Sequence, residues 1–203
     1  MANIKINKKI ICVILCIIQA VILVTSVCKF FICKSNLYSE LFIPADLNIS
    51  SAEVADERII VTPENSIAGT VVSSSPLKLS RGSYIVYIDY STSATGNTFE
   101  ASCSSATAHL FCSNPANLSV NSKNAYITIR IGGPEEVVLN VDYAGNGSME
   151  IYGMSIHETT DMAKQDLVYS LILCALISLV WYICTGDTKR RKTAFCLGTI
   201  IFM

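Results

Sequence analysis

Tryptophan is almost missing from this chain of 203 residues, with one copy at Trp181, and histidine nearly so, with His109 and His157 alone. Two histidines without a second His or a Cys/carboxylate pair at ligand spacing supply no zinc site, and no other metal set stands out. A Gly-x-Ser-x-Gly elbow is missing, and no motif sets a histidine beside a nucleophilic serine. Walker, GxGxxG and EF-hand patterns are missing too, which removes nucleotide and EF-hand calcium chemistry and leaves no cofactor to expect. These residues therefore carry no catalytic constellation, and whether the protein as a whole is an enzyme stays open. Charge is scarce, at 15% of residues, while 51% are hydrophobic and the mean hydropathy is +0.47. Such a chain is too apolar for a disordered polymer and too apolar for one ordinary soluble domain. A net charge of −1 gives no global pull toward nucleic acid.

The apolar residues are concentrated. Ile10 to Cys28 runs for nineteen residues without a charge and with Gln19 as its one amide. At about 1.5 Å rise per residue such a run covers roughly the 30 Å of a bilayer core. Leu167 to Gly186 forms a second run of twenty residues, bounded by Asp166 and Asp187, with Trp181 and Tyr182 near one end as interface anchors. Thr193 to Met203 is apolar over eleven residues, too short to cross, and is expected to be the start of a truncated third span. Lys5, Lys8 and Lys9 precede the first run, and Lys189 to Lys192 follow the second. The positive-inside rule then places the N-terminus in the cytoplasm and residues 35–166 outside, in a cell membrane. The rival for the first run is a cleaved signal peptide, but its core is longer than the usual 7–15 residues and no A-x-A site follows, so a retained anchor is the reading adopted. The expected order is a basic tail (1–9), a first span (10–28), a linker (29–57), a folded domain (58–160), a second span (167–186), a basic loop (187–192) and the third apolar segment (193–203).

Residues 35–166 hold fifteen acids and six bases, a net of −9 in a segment of one-domain size. That field repels anionic lipid and nucleic acid and leaves neutral glycans, cations and proteins as partners. The hydrophobic period here is two. Tyr84, Val86, Ile88 and Tyr90 share a face, as do Ala125, Ile127, Ile129 and Ile131, and Val137, Leu139, Val141 and Tyr143. Further strands are expected over 58–62, 68–73, 77–80, 98–102, 108–112 and 148–158, separated by Gly-, Asn- and Pro-bearing turns. Roughly nine strands so spaced make a mostly β chain with an antiparallel β-sandwich, jelly-roll-like in type, between transmembrane helices. An immunoglobulin sandwich is the competitor, without its Cys…Trp…Cys spacing.

Seven of the nine cysteines lie in or beside the apolar runs and serve as small hydrophobes, with acylation of Cys28, Cys33 or Cys184 as a further option. Cys103 and Cys112 flank an expected hairpin over 104–111, where a disulfide and a pair of buried thiols are both open. Asn48, Asn117 and Asn146 begin Asn-x-Ser sequons that chance explains. What remains is the outward face of the sandwich. Tyr126, Thr128 and Arg130 lie opposite the core parity on one strand, Val138, Asn140 and Asp142 on the next, and Glu150 and Tyr152 on the last, with Tyr87 and Asp89 from a central strand. A ring beside amide, carboxylate and guanidinium groups suits a sugar, whose C–H face stacks while its hydroxyls hydrogen-bond. Tyr87, Tyr126, Arg130, Asn140, Asp142 and Tyr152 are therefore the candidate ligand-binding residues, set against ordinary solvated strand polarity.

The basic N-terminus, the first span, the run LKLSRGSYIVYIDY (77–90), the ending GSMEIYGMSIHET (147–159), and Met162-Ala163-Lys164 before a second span together resemble a known arrangement. It is similar to the N-terminal part of large multi-span bacterial surface proteins. In those, a jelly-roll domain like carbohydrate-binding modules is inserted between the first two spans, and the later spans are glycosyltransferase-C-like. The resemblance covers nearly all of the chain, rests on pattern, and transfers no functional residue. It implies a lipid bilayer and an envelope glycan or another membrane protein as partners. The adopted reading is a non-catalytic sandwich displayed at the membrane. The alternatives are the leading part of a polytopic transferase that uses a lipid-linked sugar donor, and an assembly protein. The acidic loop of such transferases has no recognisable counterpart after the first span beyond Asp46 as a candidate.

Overall fold

The computed structural model describes residues 8–103, 110–112 and 114–185. Two long helices, α1 (Lys8–Ser35) and α2 (Asp161–Thr185), belong to one compact unit, and Leu37–Thr160 form the other. The second unit holds β1 (Ser39–Phe42), a 3-10 turn (Pro44–Asp46), β2 (Asn48–Ile49), β3 (Glu53–Ala55), β4 (Arg58–Val61), β5 (Gly69–Ser73) and β6 (Leu77–Leu79). It continues with β7 (Gly82–Thr92), β8 (Thr98–Cys103), β9 (Leu110–Cys112), β10 (Ala116–Asn117), β11 (Asn124–Ile131), β12 (Glu135–Tyr143) and β13 (Met149–Thr159).

The strands form two antiparallel sheets. The first has the order β3-β4-β13-β7-β11-β9, with β1 paired to β13; the second is β10-β8-β12-β5-β2, with β6 paired to β12. From β6 onward successive strands fall in opposite sheets, so the chain crosses the sandwich at every turn, as a jelly roll does. The period-two pattern decides which side faces in. Tyr84, Val86, Ile88 and Tyr90 from the first sheet meet Val137, Leu139, Val141 and Tyr143 from the second, and Phe99, Val71 and Ile59 complete the buried layer. Each such side chain contributes about 1.5–3 kcal/mol on burial, so the alternation, rather than local propensity, fixes the strands.

β13 carries an irregularity between Ile151 and Gly153 in its pairing with β7. Before it Met149 and Ile151 point inward; after it Met154 and Ile156 do. Gly153 sits where an added Cβ would lie 2.9 Å from the Phe42 carbonyl oxygen of β1, so the close approach of the two strands requires glycine.

Several expectations are corrected. Residues 29–57 are no linker: α1 continues past Cys28 to Ser35, and the rest supplies β1, β2 and β3. Nothing between Cys28 and Ser35 breaks a helix, and Phe42 and Leu47 enter the core, which draws this segment into the sandwich. α2 begins at Asp161, six residues before the apolar run, where an acidic first turn complements the helix dipole and Lys164 bonds Asp161 at 3.3 Å. The hairpin expected between Cys103 and Cys112 is replaced by a crossing. Cys103 ends β8, against Val137 in the second sheet, whereas Cys112 ends β9, against Ile129 in the first. Cys103 carries a free thiol, and the turn residues 104–109 lie outside the described residues, as do 187–203 with the expected basic loop and third span.

Within the helical unit, Gln19 is satisfied by α2: its Nε2 donates to the Cys174 carbonyl at 3.0 Å and to Ser178 Oγ at 2.9 Å. Ser26 and Ser170 hydroxyls meet at 2.6 Å. Both helices are long and apolar enough to cross a membrane. They leave Val13, Ile17, Val24, Phe31, Leu176 and Val180 exposed.

Candidate ligand-binding face

The outer surface of the first sheet is built in rows by strand register. Leu41 of β1, Ser155 of β13, Tyr87 of β7 and Tyr126 of β11 stand abreast, since Leu41 pairs with Ser155, Ser155 with Tyr87, and Tyr87 with Tyr126. The next row is Ser39, His157, Ile85 and Thr128. On the other side of the Tyr87 row, Asp89 stands between Gly153 and Asn124.

Two rings dominate this surface. Tyr126 is 63% and Tyr87 38% exposed, with ring centroids 5.9 Å apart and planes tilted by 46°. His157 meets Tyr87 edge-on at 6.0 Å, and its Nδ1 shares a hydrogen bond of 2.8 Å with Ser39 Oγ. Two large apolar surfaces and a fixed imidazole thus surround Ser155, whose small side chain leaves a dip between Leu41 and Tyr87. Rings held by neighbours lose little entropy when a flat partner docks on them.

A second cluster lies farther along β13. Tyr152, 45% exposed, donates its phenol hydrogen to Glu150 Oε2 at 2.9 Å, and Arg58 of β4 donates to the same oxygen at 3.0 Å. Arg58 also reaches Asp56 at 3.5 Å. The hydrogen bond to Glu150, with desolvation second, pushes the Tyr152 phenol above its ordinary range, so it stays a neutral donor. Glu150 and Asp56 likewise favour the charged form of Arg58.

The structure divides the six candidate residues. Tyr87, Tyr126, Tyr152 and Arg130 share the outer face of the first sheet, with Arg130 four residues along β11 from Tyr126. Asn140 and Asp142 lie on the outer face of the second sheet, because β12 does not follow β11 into the same sheet. There Asn140 donates to Ser102 Oγ at 2.8 Å and Asp142 accepts from Thr70 Oγ1 at 2.6 Å. Neither contributes to the tyrosine face. Ser39, Leu41, Ser155 and His157 join the face unannounced by the alternating pattern. A readable sign existed: the apolar step from Ile151 to Met154 is three residues rather than two, with glycine inside it. Among the described residues no group of three or more His, Cys, Asp or Glu could hold a metal ion.

These features define the class of molecule: a jelly-roll-like β-sandwich with an aromatic- and hydroxyl-bearing sheet face, in a chain with two helices long enough to cross a membrane. No protein-family model matches the chain, and no curated protein does. Among solved structures it is similar to the low-affinity xylan-binding module CBM86 from Roseburia intestinalis. The two share 13% identity over 60% of this chain and 96% of the module, at a TM-score of 0.39. It is also similar to the C-terminal CBM6 of LamC from Zobellia galactanivorans (12% identity, 59% of this chain, 98% of that one, TM-score 0.39). A third is a CBM6 from Cellvibrio mixtus lichenase 5A in complex with cellotriose (10% identity, 59% and 97% covered, TM-score 0.36).

Proposed function

We propose that this protein displays its sandwich on the outer side of a cell membrane, held by α1 and α2 as spans, and binds a neutral envelope glycan without performing chemistry in the described portion. The observation that carries the reading is the exposed Tyr87–Tyr126 pair, bordered by Ser39, Ser155, His157, Asp89 and Asn124. Tilted rings offer stacking surfaces to C–H faces, and the surrounding hydroxyl, amide and carboxylate groups offer the hydrogen bonds that sugar hydroxyls need. The membrane assignment is supported by the length of the helices, by the apolar side chains they expose, and by the basic residues flanking them. The net charge of −9 over residues 35–166 favours a neutral ligand.

The test uses the full chain in detergent micelles, assayed against immobilised envelope polysaccharides. Tyr126→Ala removes a stacking surface worth about 0.5–1.5 kcal/mol, so binding is expected to weaken roughly two- to twelvefold. Tyr87→Ala acts in the same direction, and Asp142→Ala on the opposite sheet leaves binding unchanged. Binding indifferent to both tyrosines refutes the assignment to this face, and no binding to any polysaccharide refutes the function.

A further inference from the structure

The proposed glycan site above leaves Tyr152 and its ion pair unused, and yet they lie on the same outer face. Glu150 faces Ser91, and Tyr152 falls at the irregularity beside Asp89 and Tyr90, about two and a half residues along β7 from Tyr87 and one strand across. With strands rising ~3.3 Å per residue and standing ~4.8 Å apart, the Tyr87 and Tyr152 backbones are about 9.5 Å from each other. Alternate rings of an extended β-1,4-linked sugar chain are spaced about as far.

Between the two positions the surface is polar: Gly153 is buried against the Phe42 carbonyl of β1, and Asp89 and Asn124 stand beside it as exposed hydrogen-bond partners. Tyr152 is fixed from below by Glu150, which is itself fixed by Arg58. The Arg58 cation is spent on two carboxylates, Glu150 and Asp56, while Asp89 lies between the rings, so an acidic sugar at this point would be repelled.

Resting on the glycan reading, we infer that Tyr152 is the platform of a second sugar subsite. The ligand is then a linear, neutral β-1,4-linked chain of at least three residues, lying from the Tyr87–Tyr126 pair past Asp89 to Tyr152. Its first and third rings stack on tyrosines, and the middle one hydrogen-bonds to Asp89 and Asn124. A helically coiled α-linked chain cannot keep both rings in contact with a sheet face.

The experiment titrates the full chain in detergent micelles with cello- and chito-oligosaccharides of two to six residues, and with malto-oligosaccharides of the same lengths. In the better-bound β-1,4 series, affinity is expected to rise three- to tenfold from disaccharide to tetrasaccharide and then level off, with the malto series weaker throughout. Tyr152→Ala abolishes the rise and leaves disaccharide binding within twofold; Tyr152→Phe, which keeps the ring, preserves the rise. Tyr126→Ala weakens every length. A rise that survives Tyr152→Ala, affinity independent of length, or malto-oligosaccharides bound as well as the β-linked series overturns the second subsite while leaving glycan binding intact. Failure of every oligosaccharide and polysaccharide to bind removes the underlying reading, and the subsite with it.

Discussion

Asn97 is fully buried and ties the end of β7 in the first sheet to the ends of β10 and β12 in the second. Its Nδ2 donates to Thr92 Oγ1 at 3.0 Å, its Oδ1 accepts from the Ala144 amide at 2.8 Å, and its carbonyl accepts from the Leu118 amide at 2.9 Å. Asn97→Ala strands the Ala144 N–H, at a cost of about 1–3 kcal/mol, and loses the bond to Thr92, worth about 1 kcal/mol. The space left by the amide adds about 1 kcal/mol. The total of about 3–5 kcal/mol is a large share of the ~5–15 kcal/mol by which domains are stable. For a unit of this size that is a fall in Tm of roughly 10–20 °C, read from near-ultraviolet dichroism of the full chain in detergent. Asn97→Asp separates the two bonds, since the acceptor for Ala144 is kept while a carboxylate is buried beside Thr92. Burial raises the carboxyl pKa in the folded state above the unfolded value of about 3.9. The deficit relative to wild type is then largest above the raised folded pKa, shrinks as pH falls from there toward about 4, and loses its charge-dependent part below about pH 4, where the protonated acid donates to Thr92 as the amide did. A loss under about 1 kcal/mol for Asn97→Ala, or an Asn97→Asp deficit independent of pH, would refute the bonding scheme.

Two further outcomes follow from the same structure. Gly153→Ala sets a Cβ 2.9 Å from the Phe42 carbonyl, so β1 is expected to detach from β13 at a cost of about 1–3 kcal/mol, seen as faster amide exchange over Ser39–Phe42. Unchanged exchange there would show that the strands tolerate a methyl group. Tyr143, through burial and then Glu64, and Tyr152, chiefly through its bond to Glu150, both have phenols raised above the ordinary 10.0. A raised acid gives stability that is complete below its unfolded pKa and disappears as pH climbs through the folded value, so the denaturant midpoint should fall above about pH 10. Tyr152→Phe should flatten part of that fall; an identical alkaline slope in the variant speaks against the Glu150 bond.

The regular parts of the sandwich were legible because each depends on one rule. The buried sets Tyr84–Tyr90, Ile127–Ile131 and Val137–Tyr143 alternate without interruption, and the structure puts each in the core. The short strands were not legible: Ser39–Phe42 shows no alternation, and its inclusion depends on Phe42 finding a place beneath β13. The sheet to which a strand belongs was hidden as well. A turn of given length permits either a hairpin or a crossing, and period two assigns a side chain to inside or outside without saying which outside. For that reason Asn140 and Asp142, correctly outward, fall on the surface opposite Tyr87 and Tyr126.

The irregular step in β13 shows how the site follows from the core. With strict alternation from Ile151 onward, Gly153, Ser155 and His157 would face inward and Met154 and Ile156 outward. Exposing Met154 and Ile156 would forfeit about 1.5–3 kcal/mol each. Burying a hydroxyl and an imidazole without partners would cost about 1–3 kcal/mol apiece. The extra residue sacrifices about one ladder hydrogen bond, worth ~1 kcal/mol, and so wins by several kcal/mol. Its by-product is to turn His157 toward Tyr87 and Ser39 and to leave Ser155 as the floor between Leu41 and Tyr87. The tyrosine face is thus set by where methionine and isoleucine must go. It follows that deletion of Gly153, which leaves Tyr152 opposite Asp89 and Met154 still opposite Ile88, would regularise the strand and keep both the core and the ligand face, whereas insertion of one further residue after Gly153 would turn Met154 and Ile156 outward and dismantle the two together.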